Sequence, residues 1–229
     1  MKVAVVGLEK KIFEKKLPKD FAIDKKNPEI VFSFGGDGTI LYSEQIHPGV
    51  PKVFVKHSKF CEKCEVDGDY KKIFDALRNK NYKIMEEMKV EGVVNNDKKK
   101  MLAGLNEINV CNKLPSRAVR LQLAINGKVV QEEVVGDGIV VSTPFGSTAY
   151  FYSITRKNFS KGLGIAFNNS RKQIEPMILS ENSSVEIKVM RGEAVMCADN
   201  NKKIFPLKSG DAVIVKKSSL KARLVKFFR

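Results

Sequence analysis

The apolar run Ile30-Val31-Phe32 leads through Ser33 into Phe34-Gly35-Gly36-Asp37-Gly38-Thr39-Ile40, a strand-to-turn-to-helix junction that constrains this chain more than any other stretch. Gly35, Gly36 and Gly38 lack the Cβ that would obstruct a polyanion's approach to backbone N–H groups or forbid positive φ. Thr39 is placed to open a helix over Ile40 to Ile46, whose unpaired N–H groups and positive dipole end face the same spot. An acid among phosphates is repelled unless it has a task, so Asp37 is expected to accept a proton from an attacking hydroxyl or help hold Mg²⁺. Together these features point to phosphoryl transfer. A lone GGDG also reads as a tight Asp-Gly turn, and on its own the motif leaves that alternative open.

Around the junction, short apolar runs alternate with helical patterns, the signature of a parallel α/β layer. Strands are expected over Val3 to Val6, Phe21 to Ile23, Ile30 to Phe34 and Pro51 to Val55, and further helices over Lys10 to Leu17 and Tyr70 to Asn81. From about Lys83 the pattern turns to period-two alternation over Lys89 to Val94, Leu105 to Val110, Val119 to Ile125, Val129 to Val134, Ile139 to Val141, Val185 to Met190 and Ala212 to Val215. Asn126-Gly127 favours a type I′ hairpin, and Asn95-Asn96-Asp97-Lys98 reads as a second hairpin tip. The fold class expected is therefore an α/β open-sheet domain over 1–84, a β-rich (α+β) domain over 85–215, and a basic tail over 216–229 that returns to the first domain.

Lys and Arg number 41 against 26 Asp and Glu, a formal net charge of +15 that favours anionic partners such as nucleotides or polyphosphate. No helix-turn-helix, zinc-finger or RNP-like aromatic pattern accompanies the charge, so no specific nucleic-acid partner is expected. No apolar run is long enough to cross a bilayer, and Met1 to Gly7 reads as a first strand, so a cytoplasmic protein without a membrane partner is expected. Of four cysteines, Cys111 and Cys197 stand alone in strand-like segments and are expected to be small, reduced core residues. His57, Cys61 and Cys64 supply three soft-metal ligands, yet a closed zinc site needs four, and neither a metal site nor a redox pair is expected there.

A second glycine-rich segment runs from Gly136 through Asp137, Gly138, Ser142-Thr143-Pro144-Phe145-Gly146, Ser147, Thr148 and Ala149 to Tyr150. Its carboxylate can take two hydrogen bonds from a ribose diol, and its tyrosine offers a ring face and a phenol. By itself it reads equally as a hairpin entering a helix at Ser147, with hydroxyl residues as caps. Taken in order, however, GGDGT at 35–39, Asn106-Glu107 and GDGxxxSTPxGSTAY at 136–150 resemble the NAD kinase family, with the clear part running from about 30 to 153. The resemblance implies an α/β N-terminal domain, a β-rich C-terminal domain and a homodimer or homotetramer.

The resemblance also implies roles. Asp37 would orient and deprotonate the 2′-hydroxyl of the NAD adenosine ribose as it attacks the donor phosphate, with Mg²⁺ carried on ATP and Gly35, Gly36, Gly38 and Thr39 facing the donor phosphates. Asn106 and Glu107 would hold a base edge and ribose hydroxyls, Asp137 the nicotinamide half, and Thr148, Ala149, Tyr150 and Ser153 the rings. Three departures stand out. Phe145 replaces a threonine; Ile154-Thr155-Arg156-Lys157-Asn158 replaces a Gly-Gly-Pro turn; and Val53 to Cys64 keeps only Phe60 of a glycine-rich family pattern. The alternatives are a related GGDGT kinase acting on a lipid or sugar phosphate and a dinucleotide-binding sensor without turnover. The donor, ATP or polyphosphate, is left open.

Overall fold

A computed structural model describes residues 1–59, 61–64, 66 and 68–228; Phe60 lies outside them. The chain divides into two compact units, 1–87 with 221–229, and 88–220. No helix among the described residues is long and apolar enough to cross a membrane.

The first unit contains β1 (Lys2–Val6), α1 (Lys10–Glu14), β2 (Ala22–Ile23), β3 (Ile30–Gly35), α2 (Asp37–Ile46), β4 (Lys52–Lys56) and α3 (Tyr70–Arg78). Its strands run parallel in the order β2-β1-β3-β4. Because side chains alternate across a strand, Val3, Val5, Phe32, Phe34, Val53 and Val55 share one face, where Phe13 of α1 and Ile73, Phe74 and Leu77 of α3 cover them. The Phe13 ring lies 5.0 Å from Phe32 and 5.2 Å from Phe34.

The opposite face carries the smaller Ala4, Val6 and Val31. There α2 is tied to the sheet by polar contacts. Ser33 and Ser43 hydroxyls meet at 2.6 Å, and buried Lys52 pairs with buried Glu44 at 2.5 Å while donating to the His47 and Val50 carbonyls at 2.8 Å each. Two expected helices are shorter than their apolar patterns. The first stops at Glu14 because Pro18 bars Leu17 from helical backbone, and the third stops at Arg78 before Lys80, which turns left-handed at φ 54°.

β5 (Tyr82–Val94) begins in the first unit and ends in the second, which goes on through β6 (Met101–Gly104), β7 (Glu107–Asn112), β8 (Val119–Ile125), β9 (Lys128–Gly136) and β10 (Gly138–Ser142). After α4 (Tyr150–Thr155) come β11 (Leu163–Asn168), β12 (Met177–Leu179), β13 (Val185–Arg191), β14 (Ala194–Ala198), β15 (Phe205–Leu207) and β16 (Ala212–Phe227). Six strands form an antiparallel sheet in the order β12-β11-β10-β7-β14-β15. A second antiparallel layer runs from β13 to β8 to β9, with the first residues of β16 on the other side of β13. Ile108, Val110, Ile139 and Ile165 of the six-stranded sheet join Leu121, Leu123, Ile187 and Val213 of the second layer in one buried core.

Asn126 at φ 50° and Gly127 at φ 80° make the tight β8–β9 turn, and Asn95 and Asn96, both left-handed, begin the β5–β6 connection. The chain from Lys216 continues β16 as a strand. β11 and β14 were not legible in the alternation. The first is buried on both faces and so does not alternate, and the second is a short alanine-ended run.

Candidate functional site

In the first unit, β3 hands directly to α2. Gly36 precedes the helix with φ −117° and ψ −168°, and the helix begins at Asp37, so Thr39 does not open it but lies in its first turn. None of the three glycines is left-handed: Gly35 belongs to the strand, Gly36 is extended and Gly38 is helical. What Gly35 provides is close approach, since a Cβ there would fall 2.2 Å from the Thr39 hydroxyl oxygen. A cavity of about 540 Å³ opens beside this turn, bordered by Gly38, Thr39 and Tyr42 and by two cations, Lys10 and Lys25.

The half-buried Asp37 carboxylate is engaged on both oxygens. Glu62 N–H donates to Oδ2 at 3.1 Å, Lys63 N–H donates to Oδ1 at 3.1 Å, and the Cys61 sulfur lies 3.3 Å from Oδ1. Cys61 and Cys64 are joined in a disulfide with Cα atoms 5.5 Å apart. The two cysteines, expected to form neither a metal site nor a redox pair, are thus covalently paired, because the fold of the loop brings their Cα atoms within disulfide reach. His57 turns elsewhere, its Nε2 2.7 Å from Glu9 and its ring stacked on Phe34 at 4.1 Å. No group of three or more His, Cys, Asp or Glu side chains is placed to hold a metal ion among the described residues.

In the second unit the organising residue is Asp199, which the sequence alone did not single out. Its half-buried carboxylate accepts from the N–H groups of Leu105 and Asn106 at 2.8 Å each and of Glu107 at 3.1 Å. This diverts Leu105 and Asn106 from the ladder, which is why β7 starts at Glu107. The Ser142-Thr143-Pro144 turn is pinned to the same loop. Thr143 donates its hydroxyl to the Leu105 carbonyl at 2.6 Å and its N–H to the Asn106 carbonyl at 2.8 Å, while a Cβ on Gly146 would lie 2.3 Å from that carbonyl.

Glu107 is buried with Oε2 unpartnered, and burial, reinforced by the Asp199 charge, pushes its carboxyl up to about 8. Burial also raises Asp199, against its three amide donors. Asp137 is held on both oxygens, by Asn112 at 3.2 Å and Asn169 at 3.0 Å. The Tyr150 phenol accepts from Asn168 at 2.7 Å, and burial raises its pKa with help from the nearby Cys111, Cys197, Asp137 and Glu107. Asn106, Glu107, Asp137 and Tyr150 thus fall in one neighbourhood. Thr148 and Ala149 are half-buried just before α4, whereas Ser153 is exposed and donates its hydroxyl to the Tyr150 carbonyl at 2.8 Å.

Asn112, Asn168 and Asn169 had no sequence signal beyond lying at strand ends. Cys111 and Cys197 are not solitary core residues as expected but half-buried, hydrogen-bonded neighbours across β7 and β14. That bond eases the first proton off Cys111 and, with burial, holds the second on Cys197.

The ATP-NAD kinase C-terminal domain family matches residues 105–227. An NAD kinase of Aquifex aeolicus is 30% identical over 226 residues, covering 94% of this chain and 79% of its own. A bifunctional NADP phosphatase/NAD kinase of Methanococcus maripaludis is 30% identical over 208 residues, and this match spans 86% of the chain but 36% of that longer protein. Among solved structures, an NAD kinase from Archaeoglobus fulgidus in complex with ATP superposes with a TM-score of 0.79 at 21% identity, covering 100% of this chain and 94% of the other. The chain belongs to the NAD kinase family.

Proposed function

We propose that the protein transfers a phosphoryl group from ATP or polyphosphate to the 2′-hydroxyl of the adenosine ribose of NAD, giving NADP. The observation that carries this reading is the carboxylate of Asp37 in the first turn of α2, directly after the Gly35-Gly36 strand end and beside a cavity bordered by Gly38, Thr39, Lys10 and Lys25. Asp37 is the base: it positions the ribose hydroxyl and takes its proton late, as the bond to the leaving phosphate loosens. Gly35, Gly36, Gly38 and Thr39 receive the donor phosphates at the helix N-terminus, and Lys10 and Lys25 border the adjoining cavity with positive charge. The ATP bound by the Archaeoglobus relative supports a nucleotide donor.

Mg²⁺ brought in on the donor's phosphate oxygens would supply charge neutralisation at the leaving group. On the acceptor side, Asn106 and Glu107 bind a base edge and ribose hydroxyls, Asp137 binds the nicotinamide half, and Thr148, Ala149, Tyr150 and Ser153 line the rings. This polar set suits a dinucleotide better than a lipid. Exposed Val129 and Val130 on β9, at the edge of its layer, support assembly into a homodimer or homotetramer through the second unit.

The test is NADP formation from NAD and Mg²⁺ with ATP or polyphosphate, the protein kept reduced. Wild type is expected to form product from at least one donor and Asp37→Asn to form none. Equal turnover by the variant, or no product from either donor, overturns the reading.

A further inference from the structure

The loop that covers Asp37 is the part of the first unit that phosphoryl transfer does not use. Residues 61–64 form a ring closed by the Cys61–Cys64 disulfide, and the two amides inside that ring, Glu62 and Lys63, converge on the two oxygens of one carboxylate. Successive N–H groups converging in this way form an anion-binding nest, and here the anion is the protein's own base. The Cys61 sulfur rests against Oδ1 at 3.3 Å, and the Cys64 sulfur lies 3.7 Å from the Gly35 carbonyl oxygen, so the ring spans both ends of the Gly35–Asp37 turn. A hydroxyl that is to give its proton to Asp37 must come to the same oxygens.

We propose that the Cys61–Cys64 disulfide is a redox latch on Asp37: oxidised, the ring covers the carboxylate and suppresses turnover; reduced, the loop leaves and the base is exposed. This rests on the reading of Asp37 as the base. The reductant is a dithiol. One of its thiolates attacks a sulfur of the Cys61–Cys64 bond, forming a mixed disulfide and releasing the other cysteine, which takes a proton. The second thiol of the reductant, as thiolate, displaces the remaining cysteine, which is also protonated. The protein gains two electrons and two protons, and the reductant becomes a disulfide.

Cys61 and Cys64 are only half-buried and Glu62 is exposed, so a reductant has access. Two features favour release once the bond is cut. The ring that forced both amides toward one point is gone, and the loop no longer has covalent support for its ordering.

The experiment compares wild type with Cys61→Ser/Cys64→Ser, each incubated with dithiothreitol or with its oxidised cyclic disulfide, then assayed for NADP formation. The double variant keeps Cys111 and Cys197, so it controls for their oxidation. Reduced wild type is expected to turn over at least tenfold faster than oxidised, and the double variant to match reduced wild type under both conditions. Equal turnover of wild type in both states, or faster turnover when oxidised, overturns the latch. Absence of turnover in every sample would defeat the proposed reaction instead, and amide hydrogen exchange would then decide the latch. Protection of the Glu62 and Lys63 amides only in the oxidised protein sustains it; equal protection in both states overturns it.

Discussion

The two units hold their carboxylates in opposite ways. Asp37 is engaged by a four-residue loop closed by a disulfide, so its surroundings depend on one reducible bond. Asp137 and Glu107 sit among amides and strands that no single bond controls: Asn112 and Asn169 bracket the first, and Asp199 fastens the loop that carries the second. A group that must move a proton can be switched by covering it, whereas groups that recognise a ligand are more useful kept in place. On the proposed roles, the contrast places chemistry and its control in the first unit and recognition in the second.

The sharpest way to break that division is a pair of substitutions read for both binding and turnover. Asp37→Asn removes the proposed base and should lower kcat by about 10²–10⁴-fold while leaving NAD affinity within about tenfold. Tyr150→Ala removes a ring anchored through Asn168 and should do the reverse, weakening binding with a smaller loss of kcat. Calorimetry beside steady-state kinetics checks both, and equal loss of binding in the two variants would collapse the distinction. For stability, the larger lever lies in the first unit. Lys52→Ala strands the buried Glu44 carboxylate against the sheet and should cost about 3–5 kcal/mol in chemical denaturation, whereas Lys52→Met together with Glu44→Leu should cost far less.

The difference between the units also decides what could be read from sequence. At the GGDGT turn the determinants are neighbours: Gly35 yields room to Thr39 four residues on, and strand, turn and helix follow in 30–46. In the second unit the decisive contacts join residues far apart. Asp199 reaches Leu105 across 94 positions, and neither periodicity nor a local motif announces such a bond. Asn106 and Glu107 were legible only through a resemblance, and their shared acceptor was not. The ring over Asp37 was missed for another reason: CxxC spacing permits a metal, a disulfide or nothing, and only the position of the Asp37 oxygens shows what the intervening amides face.

A titration separates the units next. Burial raises Glu107 to about 8 from an ordinary value of about 4.3, so the folded state holds a proton that the unfolded chain has released between those values. Stability should therefore fall as pH rises from about 4 to about 8 and level off above it. Glu107→Gln should remove its share of that slope, leaving one of the same sign from Asp199, also raised by burial. Because the donors of an adenine edge or a ribose favour the ionised acid, NAD affinity should rise with pH through about 8 in wild type and stay flat in the variant. Proton release on binding, measured by calorimetry in buffers of different ionisation enthalpy, reads this directly.

The smallest effect concerns the lost Gly-Gly-Pro turn. α4 ends on Arg156 in the left-handed region at φ 57°, its N–H bonded to the Tyr152 carbonyl at 2.8 Å and its guanidinium 5.9 Å from the Tyr152 ring centre. A side chain in this conformation costs about 1–2 kcal/mol, which glycine avoids at the expense of a more flexible unfolded chain and the loss of the cation–π contact. Arg156→Gly should therefore stabilise the protein by only about 0.5 kcal/mol in thermal denaturation. The KM for NAD carries the functional meaning. If it is unchanged, the cation is a tolerated replacement at a backbone position that favours glycine; if it rises severalfold, Arg156 reaches the dinucleotide and the strain at φ 57° is kept for binding.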